Sequence, residues 1–260
     1  MSEIYHIAID GPVASGKGTI ARELSYKLGI PCLDTGALYR GIAVYIRNIG
    51  TSAEGKTTGK KKQSGPYNLD PNNEQAVTNA LKSVKMDVEI KAGVTNVSIN
   101  GIDVTSQLRD NDISQITSVI ATYPDVRKVI VAKSQEIAKT SSFILEGRDT
   151  SSVLLPDAKY KFYLTANVRT RAKRRIADLA AKGETVTMRD MKQQIKERDL
   201  RDSTKGGLRK VREAIVINNS RMNVEKTIDK FMKHLIAARV GENKKRRNKG
   251  RTFFHRFVGK

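Results

Sequence analysis

The sequence predicts an α/β fold in which a parallel sheet is flanked by helices. Short apolar runs that suit buried strands alternate along the 260 residues with longer stretches of helical periodicity. A glycine-rich turn at residues 10–19 joins the first strand to the first helix. One region, Met86–Val104, has the pattern of short antiparallel strands instead. Because this region lies inside the alternation, we predict a small antiparallel subdomain inserted into a parallel core.

Each predicted element rests on a local residue pattern. The first strand ends at Asp10-Gly11, and the first helix ends before Gly29, a residue type that commonly stops helices. Apolar runs short enough for buried strands lie at residues 4–9, 32–33, 143–145, 160–164 and 214–217. Stretches that we interpret as helices lie at residues 19–28, 36–48, 106–122, 124–139, 167–181, 188–201 and 223–239. Hairpin turns are predicted at Ala92-Gly93 and Asn100-Gly101.

The composition restricts the class of protein. The chain has one cysteine, which excludes an internal disulfide framework and favours a reducing compartment. No apolar run approaches the roughly 20 residues that are needed to span a bilayer. The N-terminal residues lack the basic and apolar regions of a secretion signal. We therefore expect a soluble, cytoplasmic protein that makes no use of a membrane.

The positive charge of the chain is distributed unevenly. The net charge is +21, and residues 239–260 hold nine Lys or Arg against one Glu. Residues 51–66 add four Lys and one Glu among Gly, Ser and Thr, which indicates a flexible, solvated basic loop. We interpret 239–260 as a disordered basic tail without a specific partner, although weak association with RNA or an anionic surface stays open. The rest of the chain is also basic, as expected of a protein that handles anionic substrates.

The strongest motif is a phosphate-binding loop at residues 10–19, DGPVASGKGT. It follows a predicted strand and opens a predicted helix, which is the context that such a loop requires. Gly11 and Gly16 allow a tight turn whose backbone N–H groups converge on phosphates, and Lys17 can reach them. Gly18 stands where Ser or Thr usually binds Mg²⁺, so we assign no metal-binding residue and predict that phosphates and water mainly hold the ion. The residues expected to bind the nucleotide are Gly11, Pro12, Val13, Ala14, Ser15, Gly16, Lys17, Gly18 and Thr19.

Three further motifs combine arginine with acidic residues. DTGALYR at 34–40 and EGRD at 146–149 follow predicted strands, and KERDLRD at 196–202 closes a predicted helix. A regulatory GTPase would carry N-K-x-D, and a motor ATPase would carry a strand that ends in Asp-Glu; neither occurs. Transfer of a phosphoryl group between two polyanions needs many fixed cations, and arginine supplies them. The motifs therefore predict a kinase whose acceptor is itself a phosphate.

With these motifs in view, the chain resembles the bacterial cytidylate kinases, a family of nucleoside monophosphate kinases with a phosphate-binding loop (P-loop). GPVASGKGT, DTGALYR, YPDVR, EGRD followed by PD, and IKERDLRD occur in that family's order between residues 4 and 235. The resemblance implies transfer of the γ-phosphoryl group of ATP, with Mg²⁺, to CMP or dCMP. The products would be ADP and CDP or dCDP, formed without a covalent intermediate or a general base.

The resemblance also implies how the chain is divided. It implies a five-stranded parallel sheet flanked by helices, a helical lid and an inserted, antiparallel β-containing subdomain that binds the monophosphate. The corresponding ranges are the kinase core at 1–37 and 106–238, the lid at about 167–205 and the insert at 38–105. The loop 51–66 and the tail 239–260 lie outside the resemblance, and we expect a monomer.

The resemblance assigns roles to particular residues. The catalytic residues that it implies are Lys17, Arg148, Arg171 and Arg174. Of these, Arg171 and Arg174 would lie on or beside the lid, together with Arg175. For the acceptor, the resemblance implies that the cytosine ring is bound by Ser118, Arg127 and Asp149. The phosphate of the acceptor would be held by Arg40, Arg148 and Lys205. The nucleotide would be positioned by Thr35, Tyr39, Arg198 and Asp202. Asp149 can accept from the exocyclic amine of cytosine, so uracil, which has a carbonyl there, would be rejected.

The chain departs from the family pattern at four positions, namely Glu146 for Asp, Ser151 for Gly, Lys205 for Arg and Asn218 for Asp. Ser151 would restrict the backbone near the acceptor, and the four changes bear on efficiency or base preference more than on the reaction. Two other functions stay open: a kinase for a sugar, shikimate-like or other nucleotide acceptor, and a nucleic-acid-binding protein that works through its tail. Salt-sensitive binding that is lost on deleting 239–260 would favour the latter.

Overall fold

The computed structural model describes residues 4–49, 69–91, 93–205 and 207–238. The predictions for the loop 51–66, for Ala92 and for the tail 239–260 lie outside the described residues. The chain divides into two compact units, residues 1–220 and residues 221–260. None of the described helices is long and apolar enough to cross a membrane.

The described strands and helices follow the predicted alternation. The strands are β1 (His6–Asp10), β2 (Cys32–Asp34), β3 (Met86–Lys91), β4 (Val94–Ile99), β5 (Ile102–Asp103), β6 (Phe143–Gly147), β7 (Tyr160–Thr165) and β8 (Ile215–Asn218). The helices of the first unit are α1 (Lys17–Leu28), α2 (Thr35–Asn48), α3 (Glu74–Leu81), α4 (Asn111–Ile120), α5 (Pro124–Ala138), α6 (Val168–Ala180) and α7 (Met188–Thr204). A 3₁₀ helix covers Thr105–Arg109, and a π-type turn covers Thr150–Leu154. In the second unit, residues 224–238 are helical.

The predicted five-stranded parallel sheet is confirmed, with strand order β2-β6-β1-β7-β8. β1 lies in its centre and is buried from Ile7 to Asp10. A separate antiparallel sheet, β3-β4-β5, lies where the antiparallel strands were predicted. In the parallel sheet Asp10 is in register with Gly147, and Asp34 is in register with Glu146, so three carboxyl ends meet at one edge. This is the edge at which open α/β sheets bind ligands.

Helix α2 packs against both sheets and joins them into one core. Leu38 of α2 is fully buried in the same apolar cluster as Leu145 of β6 and Val97 of β4. The helix and β4 approach so closely that only glycine fits between them, because a Cβ on Gly41 would lie 2.7 Å from Val97 Cγ1. The antiparallel sheet therefore shares its apolar core with the parallel sheet.

The prediction of a single helix at 106–122 is wrong, because the chain forms two pieces there. The 3₁₀ helix ends at Arg109, Asp110 is extended, and α4 follows. Arg47 of α2 donates to Asp110 Oδ2 at 2.8 Å and to Asp112 Oδ1 at 3.1 Å. One guanidinium group thus binds two carboxylates at the start of α4 and fixes the break.

Helix α3 lies outside the predicted elements, although the sequence carries a signal for its start. The side chain of Asn73 accepts from the backbone N–H of Ala76 at 3.0 Å, and Glu74 stands in the first turn. Both residue types are favoured at helix N-termini. The helix has only 8 residues, which is too short for its periodicity to stand out.

Candidate active site

The phosphate-binding loop joins β1 to α1 and wraps around its own lysine. Lys17 Nζ donates to the carbonyl oxygen of Gly11 at 2.8 Å and to that of Pro12 at 2.9 Å. Gly16 caps α1 with a φ of 93°, and a Cβ on Gly11 would overlap the carbonyl of Leu164. Both glycines are therefore required by the shape of the loop. Burial lowers the pKa of Lys17 to about 7, a shift that a bound polyanion would oppose.

Two arginines of α6 hold this loop from outside. Arg174 Nη1 donates to Ser15 O at 3.0 Å, and Arg171 Nη1 donates to Val13 O at 3.2 Å. Arg171 also forms paired bonds to Asp199 of α7, at 2.9 and 2.5 Å. Its side chain is buried. The two predicted lid arginines thus contact the backbone of the loop, and Arg171 in addition links α6 to α7.

Asn219, directly after β8, is a loop contact that the sequence motifs do not identify. Its Nδ2 donates to Ser15 O at 3.1 Å, and its Oδ1 accepts from Arg174 at 3.2 Å. The residue is 3% exposed. Its neighbour Asn218, where the family pattern has Asp, instead accepts from the backbone N–H of Ser220. The position of Asn219 at the end of a predicted strand is the one sequence signal that pointed to it.

Two carboxyl groups face each other at the ends of β2 and β6. Asp34 accepts from Arg40 at 3.2 Å and caps α2 through the N–H of Ala37. Burial together with the charge of the neighbouring Asp34 raises the pKa of Glu146 to about 7, whereas Arg40 helps to hold the pKa of Asp34 below its usual range. With Gly18 they line a cavity of about 260 Å³. A proton held by this pair removes part of its negative charge near neutral pH.

Beside the loop, the guanidinium groups of Arg148 and Arg198 share the carboxylate of Asp202. Arg148 Nε donates to Asp202 Oδ2 at 2.9 Å, whereas Arg198 Nε lies 3.9 Å from the same oxygen. Arg198 Nε is buried and has no hydrogen-bond partner among the described residues. Burial and the charges of Arg148, Arg40 and Arg175 lower the pKa of Arg198 to about 10. A buried cation among like charges is costly, so this cluster suits a polyanionic ligand.

A second ion pair joins α5 to the turn after β6. Arg127 Nη2 donates to Asp149 Oδ2, and Asp149 is 3% exposed. Burial raises the pKa of Asp149, and Arg127 opposes that shift. The hydroxyl of Tyr39 is buried without a hydrogen-bond partner in the described part of the chain, and burial and the Asp149 charge raise its pKa. The pair offers a ligand one side chain that only donates and one that, when ionised, only accepts.

The turn that carries Asp149 is anchored to β1. Asp10 accepts from the backbone N–H of Thr150 at 2.7 Å and from that of Ser151 at 2.8 Å. It also accepts from the hydroxyl of Ser151. Ser151, expected only to restrict the backbone, thus supplies a further bond to a buried carboxylate. Because Asp10 directly precedes the phosphate-binding loop, these bonds tie the turn to the loop.

Three other predicted residues lie on α2, on α4 and directly after α7. Thr35 Oγ1 donates to the carbonyl oxygen of Glu146 at 2.8 Å. Ser118 Oγ accepts from Arg201 Nη1 at 2.5 Å. Lys205 is exposed at the end of α7, and its ammonium makes no hydrogen bond or ion pair with the residues that the structure describes. The structure thus connects Thr35 and Ser118 to neighbouring elements and leaves Lys205 on the surface.

Comparison with known proteins decides the family. The family model described as cytidylate kinase matches residues 7–237. The chain belongs to this family. A cytidylate kinase from Caldicellulosiruptor saccharolyticus is 34% identical over 229 residues, which cover 87% of this chain and 93% of that protein. A second cytidylate kinase, from Parabacteroides distasonis, is 32% identical over 221 residues, which cover 84% of this chain and 91% of that protein.

Membership of the cytidylate kinase family confirms the predicted resemblance and the prediction of a phosphotransferase. The matched range contains the phosphate-binding loop and the three arginine motifs, and it ends before the basic tail 239–260. Among solved structures, TT1252 from Thermus thermophilus is 14% identical and covers 91% of this chain and 98% of its own, with a TM-score of 0.42. That likeness is too distant to bear on the function.

Proposed function

We propose that this member of the cytidylate kinase family transfers the γ-phosphoryl group of ATP to CMP or dCMP, giving ADP and CDP or dCDP. The observation that carries the proposal is the cationic cluster beside the phosphate-binding loop. Arg148 lies close enough to lower the pKa of both Lys17 and Arg198, and Arg148 and Arg198 share the carboxylate of Asp202. Two polyanions can be brought together only where such a surplus of positive charge is available.

In this proposal the phosphates of ATP bind to the loop and to the N-terminus of α1, where backbone N–H groups are available. Lys17 exchanges the carbonyls of Gly11 and Pro12 for phosphate oxygens. Arg171 and Arg174 keep the loop in place from α6. Each guanidinium group has five N–H donors, so one that the loop does not occupy can act on the transferring group as well.

Mg²⁺ accompanies ATP and neutralises part of its charge. The side chains that fit the ion are Asp34 and Glu146, whose carboxyl groups line the cavity beside Gly18. Gly18 offers no hydroxyl, and the described residues contain no group of three or more His, Cys, Asp or Glu that could hold a metal. Asp34 and Glu146 would therefore hold a hydrated ion through water, as is common for Mg²⁺ bound to nucleotides.

The acceptor base binds at Arg127 and Asp149. Arg127 favours the ionised form of Asp149, which can then only accept hydrogen bonds. The ionised Asp149 therefore suits the amino group of cytosine and rejects the carbonyl that uracil has in its place. Ser118 completes the base site from α4. The insert at 38–105 and the lid at 167–205 then enclose the nucleotide.

The acceptor phosphate binds to Arg40, Arg148 and Arg198, with Lys205 approaching from the end of α7. Asp202, which accepts from Arg148 at 2.9 Å, orients that guanidinium and reaches the sugar hydroxyls. Thr35 and Tyr39 position the nucleotide from the first turns of α2. The Nε of Arg198, which lacks a hydrogen-bond partner in the part of the chain that the structure describes, gains an anionic one in this arrangement.

The chemistry needs no general base, because a phosphate is already a nucleophile near neutral pH. The protein contributes positioning, which makes the transfer effectively intramolecular, and charge neutralisation by Lys17 and the arginines. Closure of α6 and α7 over the site excludes water, so that ATP is not hydrolysed instead.

An ADP-release assay with ATP and Mg²⁺ tests this proposal. CMP and dCMP should be used in strong preference to UMP, AMP and GMP. Asp149→Asn should lower kcat/KM for CMP by about 10- to 100-fold and weaken the preference over UMP, because the amide removes a charge and adds a donor. Asp157→Asn, which changes an exposed carboxylate near the same turn, is the matched control. Equal use of CMP and UMP would contradict the base assignment, and no turnover by folded protein that binds ATP would overturn the proposal.

A further inference from the structure

Arg201 of α7 contacts a residue of the proposed base site, although no role was predicted for it. Its Nη1 lies 2.5 Å from Ser118 Oγ on α4, and the two residues are 83 positions apart in the chain. Arg201 is exposed, whereas Ser118 is 9% exposed. The bond therefore extends from the surface of α7 to a nearly buried hydroxyl on another element.

The direction of this hydrogen bond is fixed by chemistry. A guanidinium group has donors only, so Ser118 Oγ must accept. A hydroxyl has one proton and two lone pairs, and this contact uses one lone pair. The Ser118 hydroxyl donates to none of the residues that the structure describes, so its proton is available to a ligand.

Ser118 and the Arg127–Asp149 pair are connected through the end of α4. Arg127 Nη1 donates to the carbonyl oxygen of Ala121 at 3.4 Å, and Ala121 caps the C-terminus of that helix, three residues after Ser118. The other terminal nitrogen of Arg127 binds Asp149. The Ser118 hydroxyl is thus linked to the Arg127–Asp149 pair through the backbone at the end of α4.

We propose that Arg201 is a positioning residue for base selection, because its bond to Ser118 makes the serine hydroxyl a donor toward the acceptor base. This inference rests on the proposed function. Cytosine offers an amino group and an unprotonated ring nitrogen, whereas uracil offers a carbonyl and a ring N–H. With Asp149 accepting and Ser118 donating, uracil presents the wrong group at both positions. Each mismatch leaves buried polar groups unpaired, which is how such sites discriminate.

The test compares kcat/KM for CMP with that for UMP at saturating ATP in several variants. Arg201→Ala should lower the CMP preference about tenfold, the effect of losing one hydrogen bond to a charged group, with an unchanged KM for ATP. Arg201→Lys keeps a donor and should retain most of the preference. Arg189→Ala removes the same charge from an exposed position on the same helix and should behave as wild type.

A double-mutant cycle shows whether Arg201 acts through Ser118. In a Ser118→Ala background the further change Arg201→Ala should have no effect on the CMP preference, because the hydroxyl that it orients is gone. Independent, multiplying effects would overturn the inference. So would an equal loss for CMP and UMP in Arg201→Ala, which would assign the residue to closure of α7 alone. Equal use of CMP and UMP by the wild-type protein would overturn the base assignment and this inference with it, whereas absence of turnover with either would overturn the proposed function itself.

Discussion

Glu146 shows, at the scale of a single residue, how burial and a neighbouring charge change an ionisation. Burial and the Asp34 charge raise the pKa of its carboxyl group from 4.5 to about 7. The unfolded chain has the ordinary value, so between these two pH values the folded protein holds a proton that the unfolded chain has lost. The free energy of unfolding therefore falls as the pH rises through this window.

Glu146→Gln should remove this contribution to the pH dependence of stability. Glutamine resembles the protonated acid and cannot ionise, so we expect the free energy of unfolding to rise by about 1 to 3 kcal/mol near pH 8, with little change near pH 5. Thermal unfolding at both pH values measures the difference. Glu23→Gln, at an exposed position on α1, is the control. Stabilisation of equal size at both pH values would show that Glu146 is not the titrating group.

The site residues differ in the kind of sequence signal that identifies them. Lys17, Arg148 and Asp149 lie in contiguous motifs at the ends of predicted strands, so their meeting at one edge of the sheet could be predicted. Asn219 contacts Ser15 across 204 positions and lies in no motif. Arg201 lies in a motif, but its partner could not be predicted. Such pairs depend on how whole elements pack, and no local pattern encodes that.

At the scale of elements, the contact between α2 and β4 determines how the antiparallel sheet is attached. Gly41→Ala would place a Cβ 2.7 Å from Val97 Cγ1. The change favours the helix by about 1 kcal/mol, but overpacking costs about 1 to 3 kcal/mol, so we expect a net loss of stability. Unfolding in urea measures it, provided that the slope with denaturant is unchanged.

Val97→Ala provides the matched partner for that measurement. If the two side chains clash, the double variant Gly41→Ala, Val97→Ala should be more stable than the sum of the two single effects predicts. Strictly additive effects would contradict a direct contact between α2 and β4 at this point.

The type of most elements could be predicted because their patterns are local. The five parallel strands are short apolar runs, and α1 ends at a glycine as expected. The break before α4 could not be predicted, since helical spacing continues across Asp110. The side chain that fixes it, Arg47, lies 63 positions earlier on α2. Only the packing of α2 brings that guanidinium group to the two carboxylates.

At the scale of the whole molecule, the family match and the charge distribution divide the chain in the same place. The match ends at residue 237, and the tail 239–260 that follows carries nine Lys or Arg. Every residue of the proposed site for which contacts are described lies before residue 220. The kinase and any binding of nucleic acid should therefore be separable.

A variant that ends at residue 238 should retain kcat/KM for CMP within about twofold, because it removes no residue of the proposed site.

The full chain should bind labelled single-stranded RNA weakly, with an affinity that falls steeply as salt is added, and the shortened chain should lose most of this binding. Fluorescence anisotropy at two salt concentrations measures it. Replacing Lys56, Lys60, Lys61 and Lys62 by Gln removes charge from the loop 51–66 and is the control. An equal loss per charge in both variants would assign the binding to net charge, and loss of CMP turnover on truncation would make the tail part of the kinase.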